Sequence, residues 1–243
     1  MLLVSWIGLF FAIWAVMELA RTLAPDTAWF RCGVLFAWLP ASVFLIAGYS
    51  EATYIALAGW VLVYLVCDRW LAGAVLAGLA ATARPEGALV GAVLAGYLLW
   101  RRRYVHALLA LLISEIGVLV VTLFLSARYH HLFAQVRAQQ IGHRQLTWPL
   151  HPVLWTLARI TRGEPIAIPS MESNTVAVVL LDDVMILAGL ALLVWLVQWA
   201  RRDIRLWPLV AYSGLYLALI VSNGPFGKSP EGAARTLMCV IPL

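Results

Sequence analysis

Charge is scarce in this chain. Asp, Glu, Lys and Arg make up 12% of its 243 residues, about half the share of an ordinary soluble domain, which excludes a fold with a fully solvated surface. Cysteine is rare too: Cys32, Cys67 and Cys239 follow no spacing pattern, so neither a disulfide framework nor a cysteine zinc site is expected. His130 and His131 are adjacent and face different sides of a helix, and Asp182-Asp183 lack the spacing of carboxylate metal motifs. No metal site is therefore expected. Residues 1–19 have no basic leader and no small-residue cleavage site, which argues against a signal peptide. The Gly-x4-Gly-Lys-Ser spacing of a phosphate-binding loop is absent around Gly227-Lys228-Ser229. The chain shows no soluble domain, low-complexity tract or convincing internal repeat.

What fills the chain is apolar sequence, 63% by count, in long runs separated by short polar breaks. The runs predict helices over 2–19, 33–48, 52–67, 70–83, 88–100, 105–126, 176–199 and 207–222, with a last one opening near Arg235. A bilayer crossing takes about 20 apolar residues, and backbone groups in hydrocarbon must be satisfied within helices. The expected fold is therefore all-α: one polytopic transmembrane bundle over 1–243, with about eight or nine membrane helices and one long extracytoplasmic loop over about 127–175.

The breaks sort into two chemical kinds. Arg21, Arg31, Arg69, Arg101, Arg102, Arg103, Arg201, Arg202 and Arg205, nine of the 17 basic residues, lie in one alternating set of short turns. The positive-inside bias makes that set cytoplasmic, with Cys32 and Cys67 at its helix ends. The other set carries Tyr49-Ser50-Glu51, Arg84-Pro85-Glu86 and the long insertion, and should gather polar groups outside. Topology accounts for the net charge of +5, so nucleic acid is not an expected partner; membrane lipids are. The same topology places Met1 outside and stops the chain inside an apolar run at Ile241-Pro242-Leu243, so both ends are expected to be cuts.

Each outer polar group has two readings. Ser50 suits an N-cap and Glu51 the positive end of a helix dipole, yet a carboxylate at the membrane surface can also hold a cation, an arginine or a sugar hydroxyl, and acidic groups at membrane depth are costly enough to mark function. Pro85 and Glu86 suit a helix start. Arg84 is the one basic group in the short outer turns; it either clamps a phosphate bidentately or bridges to Glu51 or Glu86. Within the insertion, Leu132, Phe133 and Val136 share a face while Gln135, Gln139 and Arg144 occupy others, as in a helix lying in the interface. Trp148, Pro149, Pro152 and Trp155 read as a second interfacial element. Asp182-Asp183 mark either a later start of their helix or an inward-facing charged site, the former favoured. Arg235 is a further candidate anion ligand.

Leu39-Pro40-Ala41-Ser42-Val43-Phe44-Leu45, followed by Gly48-Tyr49-Ser50-Glu51-Ala52, resembles the P-A-S-x-F-L…Y-S/T-E signature of the PIG-V-like mannosyltransferases. These are GT-C class integral membrane glycosyltransferases related to GPI mannosyltransferase II. Gly78 to Gly87 looks like that family's L-A-x-x-T-R-P-x-G turn, with one residue shifted. Ala138-Gln139 with Arg144 and Pro149 is similar to its A-Q…R…P stretch without the tryptophan before the arginine. Arg235 to Leu243 resembles its R-Y-x-L…F-P-L helix, with Thr236 in place of the aromatic. The resemblance runs in order along most of the chain.

That resemblance implies transfer of a hexose, typically mannose, from a polyprenyl-phosphate donor to a lipid or glycan acceptor on the outer face. It makes Tyr49, Ser50, Glu51, Arg84, Glu86, Gln139, Arg144 and Arg235 the candidate donor- or substrate-binding residues. Arg84, Arg144 or Arg235 would hold the lipid phosphate, and Glu51 would orient sugar or acceptor. The family's catalytic aspartate lies in its first outer loop, so it is expected upstream of Met1, and the chain as given is then expected to be inactive alone. No cofactor is expected, and a divalent metal is left open. The alternative class is a non-catalytic polytopic membrane protein, a transporter or an assembly subunit.

Overall fold

The computed structural model describes residues 2–26, 28–38, 42–46, 50–130, 144–146, 154, 158, 161–162 and 175–225. These are helical almost throughout. In chain order they form α1 (Leu2–Leu23), α2 (Trp29–Trp38), α3 (Val43–Ile46), α4 (Glu51–Val66), α5 (Trp70–Ala83), α6 (Gly87–Trp100), α7 (Tyr104–Tyr129), α8 (Thr175–Ala200) and α9 (Trp207–Ser222). A 3-10 turn over Ile204–Leu206 leads into α9. Two short strands, β1 (Arg144–Leu146) and β2 (Asn223–Pro225), pair antiparallel.

Most expected helices fall within a few residues of the observed ones. The exception is 33–48, which divides into α2 and α3. The sequence supplies a reason in the proline at position 40, since proline lacks an N–H and disfavours helix at the position before it. Just after the break, the Ser42 hydroxyl donates to the Phe36 carbonyl at 2.8 Å, tying α3 back to the end of α2.

The core is built around α4. Its buried residues run from Glu51 and Ala52 through Tyr54, Ile55, Ala58, Val61 and Leu62 to Leu65, covering every side of the helix. A helix apolar on all faces belongs in the middle of a bundle; α1, α5, α6 and α9 pack around this one. Two helices of the bundle pack through small residues at alternating spacings of three and four. In α1 these are Ser5, Gly8, Ala12 and Ala15, against α4; in α7 they are Ala107, Ala110, Ser114 and Gly117, against α5 and α6. Such stripes let helix backbones approach closely, which is how helices associate where lipid removes the hydrophobic drive between them. Gly8 lies so near α4 that a methyl group there would stand 2.8 Å from the Thr53 amide nitrogen. Gly117 abuts the Gly78 carbonyl of α5 even more tightly.

The opposite face of α7 is open. Leu108, Leu112, Ile116, Leu119, Leu123 and Phe124 are all exposed, a far larger apolar surface than a water-soluble monomer shows. Helices α1 (22 residues) and α7 (26 residues) are long and apolar enough to cross a membrane, with mean hydropathies of 2.1 and 2.6 over their most apolar stretches.

The hairpins α4–α5 and α6–α7 close in the same way. Asp68 and Arg102 take left-handed backbone at φ 59° and 57°. The following amides, Arg69 and Arg103, donate back to the carbonyls of Tyr64 and Leu98 at 2.8 and 2.9 Å. This is the Schellman closure, usually made with glycine. Arg103 also reaches across to the Asp68 carboxylate at 2.7 Å, joining the two turns at the arginine-rich end of the bundle.

Candidate functional site

At the other end, the start of α4 meets the turn between α5 and α6. That turn is Arg84-Pro85-Glu86, closed by the Gly87 amide donating to the Arg84 carbonyl at 2.9 Å. Gly87 packs directly on the backbone of Ala80 and Ala81, with no room for a side chain. The tight return throws the Arg84 side chain back over α4. Its Nη1 donates to Glu51 Oε1 at 2.7 Å, while Nε and Nη2 face the Glu86 carboxylate at 3.2 and 3.3 Å. The side chain of Glu51 is fully buried, and Arg84 is 16% exposed. One guanidinium thus serves two carboxylates 35 residues apart in sequence, and the trio carries a formal charge of −1.

A buried tyrosine cluster lies alongside. Tyr54 follows Glu51 by one helical turn on α4, so both share a face. Its hydroxyl lies 3.3 Å from that of Tyr212, and its ring stacks on Tyr216 at 6.0 Å. Tyr212 and Tyr216 themselves stand 5.8 Å apart on α9. All three tyrosines are buried, as is neighbouring Ser213. Phenols in an apolar core are retained where their hydroxyls find partners, and the Tyr54 and Tyr212 hydroxyls supply one another with one.

The sequence expectations fare unequally. Glu51, Arg84 and Glu86 come together, and of the two readings of Arg84 the structure has the bridge to both carboxylates. Ser50 does stand at the N-cap of α4, but its backbone is helical and its side chain makes no capping bond. Glu51 is not at the surface, as expected, but buried. Glu86 sits at the N-cap of α6 without capping it, its carboxylate being turned to Arg84. Arg144 lies in β1 opposite Pro225, with Gln145 opposite Gly224 and Leu146 opposite Asn223. This pairing sets residues 144–146 beside the strand that follows α9 and was not anticipated. Tyr49, Gln139 and Arg235 lie outside the described residues, as do Leu132, Phe133, Gln135, Val136, Trp148, Pro149, Pro152 and Trp155 of the expected interfacial elements. The later helix start inferred from Asp182-Asp183 is corrected: α8 is already formed from Thr175.

Sequence reasoning missed the tyrosines and Ser213. Their signal was present as polar side chains at positions 51 and 54, and at 212, 213 and 216, spaced to share helix faces within apolar runs. It also passed over Glu115, a half-buried carboxyl midway along α7. Among the described residues no group of three His, Cys, Asp or Glu side chains is placed to hold a metal ion. No family model matches the chain, and neither does any curated protein or solved structure.

Proposed function

We propose that this chain is a multi-pass membrane glycosyltransferase of the GT-C kind. It transfers a hexose, mannose by preference, from a polyprenyl-phosphate donor to a lipid or glycan acceptor on the extracytoplasmic face. The observation that carries the reading is the Glu51–Arg84–Glu86 trio, with Glu51 fully buried and its partners partly so, at the end of the bundle opposite the arginine-rich turns. A carboxylate pair organised by one guanidinium offers acceptor oxygens to sugar hydroxyls, and buried charge of this kind is costly enough to mark a working site.

The charge balance refines the roles. A trio with net negative charge suits a hydroxyl-bearing sugar better than a phosphate. Glu86, the more exposed of the two acids, therefore faces the hexose or acceptor, and Arg84, anchored on the fully buried Glu51, positions it. The phosphate falls to arginines outside the trio, Arg144 or Arg235. Removal of the acceptor proton is not assigned to the trio; in the family that this chain resembles it falls to an aspartate of the first outer loop.

The test is retention of a labelled polyprenyl-phosphate mannose by the purified full chain. Loss of one charge-assisted hydrogen bond weakens binding by about tenfold or more, so Glu86→Gln and Arg84→Ala should each do so, with Arg84→Lys intermediate. Retention unchanged in all three variants excludes the trio. Uptake of a solute into vesicles carrying the chain, with no donor retained, makes the chain a transporter instead.

A further inference from the structure

At the arginine-rich end, the last turns of α1 stand away from α8 and the 3-10 turn, leaving a partly open cavity of about 390 Å³. This is within the range of small-molecule sites. Its walls are apolar: Leu19 and Leu23 come from α1, Leu196 from α8 and Leu206 from the 3-10 turn. Trp195 and Trp199 line it too, their rings 4.9 Å apart. Both indoles are also partly exposed, at 53% and 44%, as tryptophans at headgroup level are.

The charged lining lies on the turn after α8, as Arg202 and Asp203. Asp203 is already engaged, its carboxylate accepting from Arg205 Nη2 at 2.7 Å and from the Arg205 amide at 2.9 Å. Nearby Arg21 is held by Glu18 at 2.6 Å. Arg202 is exposed and forms no ion pair among the described residues, and Arg201 beside it adds a second positive charge. An apolar chamber bordered by tryptophan and ending at an available guanidinium matches one kind of molecule, an apolar chain that ends in an anion.

We propose that this cavity binds an anionic lipid of the inner leaflet, its acyl chain between α1 and α8 and its phosphate on Arg202. Basic pockets between membrane helices on the cytoplasmic side recognise lipid headgroups in this way. The proposal rests on the membrane placement given above and not on sugar transfer, because the cavity and the Glu51–Arg84–Glu86 trio occupy opposite ends of the bundle.

The experiment uses the purified full chain, equilibrated with vesicles of phosphatidylglycerol or of phosphatidylcholine, and counts retained lipid by native mass spectrometry. Phosphatidylglycerol should be retained about tenfold better, the worth of one charge-assisted contact. Arg202→Gln should abolish that preference, and Ala20→Trp, which fills the cavity, should remove both lipids. Should Ala20→Trp fail to fold, Cys32 on the cavity wall gives an independent readout. In a Cys67→Ser, Cys239→Ser background, phosphatidylglycerol should slow its reaction with a maleimide several-fold, and Arg202→Gln should restore the rate. Equal retention of the two lipids, or Cys32 reactivity indifferent to phosphatidylglycerol, overturns the proposal. So does a Cys32 that is already shielded without lipid, since a segment of this chain or a second copy then fills the cavity. Retention of the labelled polyprenyl-phosphate sugar by Arg202→Gln, measured in parallel, should stay at its original level, which separates failure of this site from failure of the transfer reading.

Discussion

Arg84 does two things at once: it neutralises a fully buried carboxylate, Glu51, and fixes a second, Glu86. Removing one partner of a buried ion pair costs about 3–5 kcal/mol, chiefly because the other charge is left without compensation, whereas replacing both partners by neutral groups of similar size is close to neutral. Arg84→Met should therefore lower the thermal unfolding midpoint sharply in detergent. Arg84→Met combined with Glu51→Gln should recover most of the loss. Additive losses in the double variant would mean that the two groups are not coupled. The pair was legible as one of two options, because a lone arginine and two acids in neighbouring outer turns admit few arrangements. Tyr54, Tyr212 and Tyr216 were not, since a tyrosine inside an apolar run reads as an interfacial anchor until its partners across the bundle are known.

The contacts of α1 and α7 are made by stripes of small residues, so each tolerates little added volume. Gly117→Ala pushes a methyl group at the Gly78 carbonyl, and overpacking of this kind costs about 2 kcal/mol; a fall in the unfolding midpoint measures it. Between α8 and α9 the turn depends on charge. Hydrogen bonds from the Arg205 side chain and amide hold the Asp203 carboxyl below its usual value. A carboxyl lowered on folding stabilises above its unfolded pKa, and that contribution is lost as pH falls through the folded one. Exchange of the backbone amides over 201–207 should therefore be pH-independent near neutrality, after correction for intrinsic rates, and accelerate only as pH falls below the ordinary aspartate value. Asp203→Asn should remove that acid-side rise. Element boundaries were largely legible: 70–83 and 207–222 were placed to the residue, bounded by arginine and by Arg84-Pro85 or Asn223-Gly224-Pro225. The β1–β2 pairing was not, because Asn223-Gly224-Pro225 reads locally as a turn and its partner lies some eighty residues away.

At the scale of the molecule, the ion pairs among the described residues fall at two ends, with Glu115 midway along α7 between them. One end holds Asp68–Arg103, Arg201, Arg202 and Asp203–Arg205; the other holds the Glu51–Arg84–Glu86 trio and the strand pair. The multi-pass reading predicts opposite accessibility for them. Cys67, exposed at the arginine-rich end, should react with an impermeant maleimide only from the cytoplasmic side. A cysteine placed at exposed Pro85 in a Cys67→Ser background should react only from outside. Labelling of both positions from one side would sink the multi-pass topology. The all-helical character, the run of helix boundaries and the division of the breaks into arginine-rich and polar sets follow from the sequence by itself, since hydropathy, Pro and Arg act within a few residues. That α4 is the central helix, that Arg84 folds back on Glu51, that tyrosines of α4 and α9 meet, and that a cavity opens beside Arg202 were decided only by the tertiary structure. These depend on how closely Gly8, Gly87 and Gly117 let their neighbours approach, a property of helix pairs that no single run of sequence contains.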